Sequence, residues 1–179
     1  MKITIISGSP HKEGTSAVLV NEFIKGAESQ GHSIYRFDAA FRNVNPCMAC
    51  ETCLENGGNC VRNDDIEELC DNIIDSDAVV FASPVYYNDI CGQLKIVIDR
   101  FFAKDERMKG PKKTALLLSM GDDTMDTIKG IVHNFKAMAG YFGWEPAGLV
   151  AALGCSTAED VKKTEFPARA RELGKEVGK

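Results

Sequence analysis

Apolar residues recur along the chain in two alternating patterns, one typical of buried strands and the other of helices. Residues 2–7 are mostly β-branched and apolar on both faces, as in a strand of a parallel sheet that is covered on both sides. Apolar residues then return every three or four positions from Ala17 to Ala27, which predicts a helix that ends at Gly31. The same alternation of strand and helix continues to the C-terminus.

This alternation predicts five strands and five helices. The strands are expected at residues 2–7, 33–37, 78–82, 114–118 and 149–153. The helices are expected from the apolar positions within residues 17–27, 66–74, 94–102, 128–142 and 170–177. Strands that alternate with helices form parallel sheets with right-handed crossovers and helices on both faces. The expected fold class is therefore α/β, in a single domain over residues 1–179.

One segment interrupts the rhythm, because residues 39–63 show no clear period. A structureless loop of this length in a compact domain is usually functional. We regard about residues 43–63 as a cysteine-rich insertion, since four of the seven cysteines fall there. Asp65 with Glu68 predicts a capping box at the start of the next helix, and the acidic pairs Asp64-Asp65 and Asp122-Asp123 are interpreted as helix caps.

The composition is that of an ordinary globular domain and disfavours several functions. The 179 residues suit one domain, with 44% apolar and 26% charged residues. The net charge of −5 disfavours binding to nucleic acid or to an anionic membrane. The apolar run at residues 1–7 is too short for the core of a signal peptide. We expect a cytoplasmic protein whose cysteines are free, metal-bound or redox-active rather than paired in structural disulfides.

The loop after the first strand, residues 8–16, carries three hydroxyl side chains and two glycines. Ligands of open parallel sheets bind outside the carboxyl ends of the strands, and a helix N-terminus offers free N–H groups to a phosphate. The loop matches neither the P-loop pattern nor the G-x-G-x-x-G pattern of dinucleotide-binding folds. It predicts a phosphate site, with an ordinary capped turn as the alternative.

The segment after the third strand, residues 83–89, is expected at the same edge of the sheet. Its proline restricts the turn, Tyr86 and Tyr87 can present ring faces, and Asn88 supplies a donor and an acceptor. Flat ring systems bind through such stacking together with a few polar contacts. A capped loop with partly buried tyrosines explains the segment equally well.

Taken together, these motifs resemble those of a known family. Gly8-Ser9-Pro10 and Gly14-Thr15-Ser16 are followed by Ser83-Pro84-Val85-Tyr86, by Gln93-Leu94-Lys95 and by Asp99-Arg100. The combination spans essentially the whole chain and is similar to that of the NAD(P)H-dependent FMN reductases of the flavodoxin-like superfamily. The subgroup that includes the iron–sulfur flavoproteins is the most similar. The resemblance implies a flavodoxin-like three-layer αβα sandwich with a five-stranded parallel sheet in the order 2-1-3-4-5.

The resemblance also implies where FMN binds. The first loop would hold the phosphate, the second would line the isoalloxazine, and a third loop after the fourth strand would add contacts. No catalytic side chain is implied, because the flavin N5 carries the hydride. The residues at the matching positions are Ser9, His11, Gly14, Thr15 and Ser16 in the first loop, Pro84, Val85, Tyr86, Tyr87 and Asn88 in the second, and Ser119 and Gly121 in the third.

Four cysteines in the irregular segment have the spacing C-x2-C-x2-C-x6-C. They are Cys47, Cys50, Cys53 and Cys60. Closely spaced thiols on a glycine-containing loop can converge on one metal centre. The resemblance to the iron–sulfur flavoproteins implies a [4Fe–4S] cluster; zinc and metal-free thiols near the flavin are the alternatives, since similar runs occur in relatives described simply as FMN reductases. The remaining cysteines, Cys70, Cys91 and Cys155, are predicted to be small core residues.

The predicted function is that of an FMN-dependent oxidoreductase that takes reducing equivalents from NAD(P)H and passes them to a flavin, quinone or similar acceptor. The alternative is an iron–sulfur flavoprotein that relays single electrons from a ferredoxin-like donor. A non-enzymatic electron carrier is disfavoured, because flavodoxin carriers are typically more acidic than −5. The expected partner is a small-molecule acceptor or a redox protein. A homodimer or homotetramer is also expected, because residues 93–102 carry more apolar side chains than one sheet face needs.

Overall fold

The chain, described over residues 1–179 by a computed structural model, alternates strands and helices as predicted. The strands are β1 (Lys2–Ser7), β2 (Ser33–Asp38), β3 (Ala78–Tyr86), β4 (Asp89–Ile90), β5 (Lys112–Ser119) and β6 (Trp144–Ala152). The helices are α1 (Thr15–Glu28), α2 (Thr52–Glu55), α3 (Ile66–Ile74), α4 (Gly92–Asp99), α5 (Asp105–Met108), α6 (Lys129–Phe142), α7 (Ala158–Lys162) and α8 (Phe166–Glu176). Three short 3-10 turns lie at Ala39–Phe41, Arg100–Lys104 and Met125–Ile128.

Five strands form a parallel sheet in the order β2-β1-β3-β5-β6. The sixth strand, β4, has two residues and pairs antiparallel with the end of β3. The expected flavodoxin-like sheet and its strand order are confirmed, with one small strand more than predicted. The register places Ser7 beside Ala82, and Pro84 beside Ser119. The loops after β1, β3 and β5 therefore start from neighbouring points at the carboxyl edge of the sheet.

Both faces of the sheet are buried at its centre, which explains why β1, β3 and β5 are mainly apolar. Ile3 and Ile5 pack on one face in a core shared with α1 and α8. Ile6 belongs to the core on the other face, which α3, α4 and α6 cover. The second core is rich in aromatic rings, and the rings of Phe81 and Trp144 stack with centroids 6.4 Å apart. None of the helices combines the length and the apolar composition that crossing a membrane requires.

Helices α1 and α8 approach each other at backbone distance. A Cβ atom built on Gly26 would overlap the carbonyl oxygen of Arg171, and one on Gly174 would overlap the carbonyl oxygen of Phe23. Glu22 also joins the two helices, because its carboxylate accepts a hydrogen bond from Arg171 Nε at 2.8 Å. The C-terminal helix thus holds α1, whose N-terminus lies at the carboxyl edge of the sheet.

Several predicted boundaries and one predicted cap were wrong. The fifth predicted strand begins at Trp144 rather than at residue 149. The third strand continues to Tyr86, because its end is paired with β4. The third predicted helix, which is α4, ends at Asp99 rather than at residue 102, and a 3-10 turn follows it. Asp65 precedes α3 but does not cap it with its side chain. Its carboxylate instead accepts from the N–H of Asn43 at 2.9 Å, so a tertiary partner in the long loop replaces the predicted local one.

Candidate functional site

A cavity of about 400 Å³ opens at the carboxyl edge of the sheet, among the loops that follow β1, β3, β5 and β6. This volume lies within the range of small-molecule sites, about 300–1,000 Å³. Eight of the residues predicted from the sequence line it: His11, Gly14, Thr15, Pro84, Val85, Tyr86, Ser119 and Gly121. The fold therefore brings parts of all three predicted loops to one site.

The N-terminus of α1 forms one end of this cavity. Gly14 occupies the N-cap position without a side-chain cap, and the first turn carries no acidic residue. The hydroxyl of Ser119 lies 2.9 Å from that of Thr15 and 2.8 Å from that of Ser16. Free N–H groups, the positive end of a helix dipole and several hydroxyls together suit a phosphate.

Two of the predicted first-loop residues shape the loop rather than line the cavity. Ser9 is buried, and its hydroxyl accepts a hydrogen bond from the N–H of His11 at 3.2 Å. Ser16 is also buried, and it contributes through its contact with Ser119. The loop itself lies tightly against α4, since a Cβ atom on Gly8 would overlap the Sγ of Cys91.

The other end of the cavity is formed by the end of β3. Ser83 is buried; its hydroxyl donates to the carbonyl of Pro84 at 2.7 Å and accepts from the N–H of Cys91 at 2.9 Å. This hydroxyl ties the second loop to the start of α4. Tyr86 is half-exposed at the cavity wall, so its ring is available to a flat ligand.

Tyr87 and Asn88 form the tip of the β3–β4 hairpin, outside the cavity wall. Both adopt left-handed backbone conformations, with φ of 49° and 63°. Asparagine tolerates this region, whereas a bulky residue there costs on the order of 1–3 kcal/mol and such strain is concentrated at functional sites. The Tyr87 ring is fully exposed beside the cavity mouth.

The sequence analysis missed part of the cavity wall. The wall also contains Met120, which lies within the predicted third loop, and the unpredicted Cys155, Ser156, Thr157 and Ala158. The last four follow β6, whose carboxyl end lies at the same edge, so the rule for open parallel sheets contained the signal. Cys155 is buried as predicted, and burial together with the charge of Asp160 raises the pKa of its thiol.

The four clustered cysteines line a second and separate cavity, and no residue lines both. Cys47 and Cys50 are exposed, whereas Cys53 and Cys60 are partly buried. Hydrogen bonds from Thr52 lower the pKa of Cys50. Burial and the charges of the other thiols raise the pKa of Cys53. The wall opposite the cysteines comes from the end of α4 and the following turn.

The space enclosed by these thiols is about 30 Å³, which is room for one or two water molecules. No group of three or more His, Cys, Asp or Glu side chains in the structure is arranged to hold a metal ion. The four sulfurs therefore surround a shared space without converging on a single point. Asp64, expected as a helix cap, accepts from the N–H of Ile66 at the start of α3 at 3.4 Å. It also pairs with Arg100 at 2.8 Å, a buried cation that the sequence analysis did not place beside it.

Known proteins are similar to this chain over most of its length. The model of the family described as NADPH-dependent FMN reductase matches residues 1–154. An iron-sulfur flavoprotein of Archaeoglobus fulgidus is 32% identical over 170 residues, covering 91% of this chain and 75% of that protein. An iron-sulfur flavoprotein of Methanocaldococcus jannaschii is 32% identical over 127 residues, covering 69% of this chain and 63% of that protein.

Among solved structures, an NAD(P)H:quinone oxidoreductase from Methanothermobacter marburgensis superposes with a TM-score of 0.74. It is 18% identical, and the match covers 100% of this chain and 98% of that one. At this identity the likeness concerns the fold, which is that of flavodoxin-like reductases.

Proposed function

The chain belongs to the NADPH-dependent FMN reductase family, and on that premise we propose that it is an NAD(P)H oxidoreductase whose FMN lies in the cavity at the carboxyl edge. One observation carries this assignment to the cavity: the hydroxyls of Thr15, Ser16 and Ser119 meet at the uncapped N-terminus of α1. These groups fit the phosphate of FMN, because Thr15 and Ser119 line the cavity and can donate to a phosphate oxygen, Ser16 holds the Ser119 hydroxyl in place, and the helix end favours the negative charge.

The rest of the wall suits an aromatic ring system. Pro84, Val85 and Met120 are apolar, and Tyr86 adds an aromatic ring that is half-exposed. No Asp, Glu, Lys or Arg lines the cavity, so the chain provides no carboxylate or amine there for acid–base work. When bound, FMN supplies the atom that accepts the hydride. The residues of the cavity bind and orient it.

The acceptor is proposed to be a flat small molecule such as a quinone or a flavin. Tyr86 and Tyr87 stand at or beside the mouth of the cavity with exposed rings. Aromatic rings of this kind stack on flat ligands in an offset arrangement. The cytoplasm is the proposed compartment, because seven free cysteines suit a reducing environment.

The test is to purify the chain, load it with FMN and follow NADH and NADPH oxidation with a quinone or free flavin as acceptor. We expect one FMN per chain and acceptor-dependent oxidation of at least one nicotinamide. Absence of both FMN binding and nicotinamide oxidation would contradict the proposal. FMN binding without oxidation of either nicotinamide would support an electron carrier instead.

A second candidate function, single-electron relay through an iron–sulfur centre, is favoured by the four thiols around one cavity. The relatives from Archaeoglobus fulgidus and Methanocaldococcus jannaschii are named iron-sulfur flavoproteins. Arg62 also lines this cavity, and its Nε is buried without a hydrogen-bond partner. That orphaned donor fits a sulfur acceptor.

The small volume means that the exposed limb of the loop must move outward to admit such a centre. We propose to test this by anaerobic reconstitution with Fe²⁺ and sulfide, followed by measurement of iron, acid-labile sulfide and FMN per chain. Cys50→Ser should abolish iron binding and leave FMN bound. Cys70→Ala, which changes a buried cysteine outside the loop, should retain both. A wild-type chain that takes up no iron contradicts this candidate and leaves the FMN proposal intact.

A further inference from the structure

Arg100 closes the base of the cysteine loop from the end of α4. Its side chain is 1% exposed, and Nη1 donates to the carbonyl of Asn45 at 2.6 Å and to Asp64 Oδ2 at 2.8 Å. Nη2 donates to Asp64 Oδ1 at 3.1 Å and to the Sγ of Cys60 at 3.2 Å. One guanidinium thus contacts Asn45 before the first cysteine, Cys60 as the last cysteine, and Asp64 before α3.

Further contacts, which are partly buried, hold the same limb of the loop. The carboxylate of Glu67 accepts from the N–H of Cys60 at 3.3 Å and pairs with Lys104 at 3.0 Å. Lys104, on the turn after Arg100, is itself 5% exposed. Gly58 lies against this turn with φ of +86°, and a Cβ atom there would approach the carbonyl oxygen of Ala103 to 2.6 Å.

The loop therefore has one fixed limb and one free limb. Cys60 is held by the frame of Arg100 and Glu67, whereas Cys47 and Cys50 are exposed. Ala49 and Glu51, next to the exposed thiols, have left-handed backbone conformations with φ of 53° and 59°. A site built in this way has a preformed anchor at Cys60, and the exposed limb is the part that has to move to admit a larger group.

We propose that Arg100 is the positioning residue of the four-cysteine site, and that its N–H bond to the Cys60 sulfur favours the reduced form of an iron–sulfur centre bound there. This inference rests on the second candidate function above. Hydrogen bonds to the sulfurs set the potential of such centres. On reduction the centre gains one electron and therefore one negative charge. The hydrogen bond from an N–H donor to a ligating sulfur becomes stronger as a result. The forked pairing with Asp64 keeps the guanidinium in place.

The test uses the full chain loaded with FMN and reconstituted with Fe²⁺ and sulfide. Two changes are compared: Arg100→Lys, which keeps a charge and loses the fork, and Arg100→Gln combined with Asp64→Asn, which replaces the buried ion pair by two amides. Arg42→Gln is the matched control. Arg42 also pairs with an acidic residue, Glu68 of α3, but it makes no hydrogen bond to a cysteine. Iron, sulfide and FMN are counted per chain, and the centre is titrated with dithionite as the electron donor.

We expect the control to match wild type. Arg100→Lys should lower iron content at least twofold, and the double variant should lower it further. Among the iron–sulfur centres that the double variant retains, the ratio of oxidised to reduced centres at a fixed potential should be at least threefold higher than in wild type. FMN content should stay unchanged, which shows that the domain is folded.

Three results would overturn the inference. Arg100 variants with wild-type iron content and wild-type ratio exclude a positioning role while leaving the iron–sulfur candidate standing. Loss of iron with an unchanged ratio in the retained centre excludes the effect on the reduced form. A wild-type chain without iron removes both the candidate and the inference. If the double variant loses FMN as well, it has unfolded. The iron content and the oxidised-to-reduced ratio of Arg100→Lys then test the inference.

Discussion

The hydroxyl of Ser16 lies 2.8 Å from the hydroxyl of Ser119, although 103 residues separate them along the chain. The contact joins the first turn of α1 to the last residue of β5. Both side chains are buried, so the two loops that they belong to meet in a polar centre protected from bulk water. A phosphate bound there would replace these hydroxyl–hydroxyl contacts with charge-assisted ones.

Removing the hydroxyls of Thr15 and Ser16 together tests this centre. Each hydrogen bond to a charged phosphate contributes about 1.5–3 kcal/mol, so the double change to Ala should weaken FMN binding at least tenfold. Fluorescence titration of the FMN-free chain measures the affinity. Ser29→Ala is the control, because Ser29 lies at the other end of α1, where its hydroxyl donates to the carbonyl of Gly26 and accepts from the side chain of Gln30. Equal affinity for the double variant and the control would refute the phosphate assignment.

Close packing of α1 against α8 predicts opposite effects for the same substitution at two helical glycines. Gly26→Ala should lower the free energy of unfolding by about 1–3 kcal/mol, because the new methyl group meets backbone. Gly140→Ala, in α6 with open space around it, should raise it by about 0.5–1 kcal/mol. Urea denaturation of both variants gives the comparison. Similar values for the two would show that the helices do not approach as described.

Glu22 predicts a pH-dependent contribution to stability. Burial alone would raise the pKa of its carboxyl, but hydrogen bonds from Lys25 and Arg171 outweigh burial, and the pKa lies below its ordinary value. A carboxyl with a lowered pKa in the folded state stabilises the fold above its unfolded pKa of about 4.3, and the contribution is lost as pH falls through the folded pKa.

Glu22→Gln should therefore lower the free energy of unfolding by about 1 kcal/mol at pH 7, and the difference from wild type should disappear in acid below the folded pKa. Denaturant titrations at pH 7 and in acid measure it. Glu176→Gln, which alters an exposed pair at 3.8 Å, should have no measurable effect. A loss for Glu22→Gln that stays constant with pH would show that the carboxylate charge is not its cause.

Assembly of the chain with copies of itself remains a prediction. The apolar surface exposed at residues 93–102 is smaller than the sequence suggested. Val97 and Phe101 are buried in the chain's own core, whereas Phe102 is 47% and Tyr141 57% exposed. We expect a mass of at least twice 19.5 kDa by light scattering at micromolar concentration. Ile98→Glu, at the half-buried face of α4, should lower this mass without loss of FMN. A wild-type mass of one chain would contradict the prediction.

Part of the site was predictable because it depends on local pattern. The strand at residues 2–7 and the turn of Gly14, Thr15 and Ser16 lie close together in sequence. In an open parallel sheet, a loop that follows a strand lies at the carboxyl edge, where ligands bind. The same holds for Pro84, Val85 and Tyr86 after β3. Their meeting in one cavity followed from strand order.

Other parts depended on partners distant in sequence. Asp65 has the residue type and position of a helix cap, yet its carboxylate accepts from Asn43. The two-residue strand β4 exists because the end of β3 offers it unpaired backbone groups. Neither feature leaves a periodic signal in the sequence.

The order of apolar and polar residues by itself determined the five parallel strands, their covering helices and the loops at the carboxyl edge, because an element that packs on the core must repeat apolar residues with its own period. Only the tertiary structure decided which side chains share a space. It placed Ser119 beside Thr15 and Ser16, and it separated the four-cysteine cavity from the cavity at the sheet edge. It also buried Arg100 between Asp64 and Cys60, because hydrogen bonds and ion pairs act between neighbours in space and leave no period along the chain.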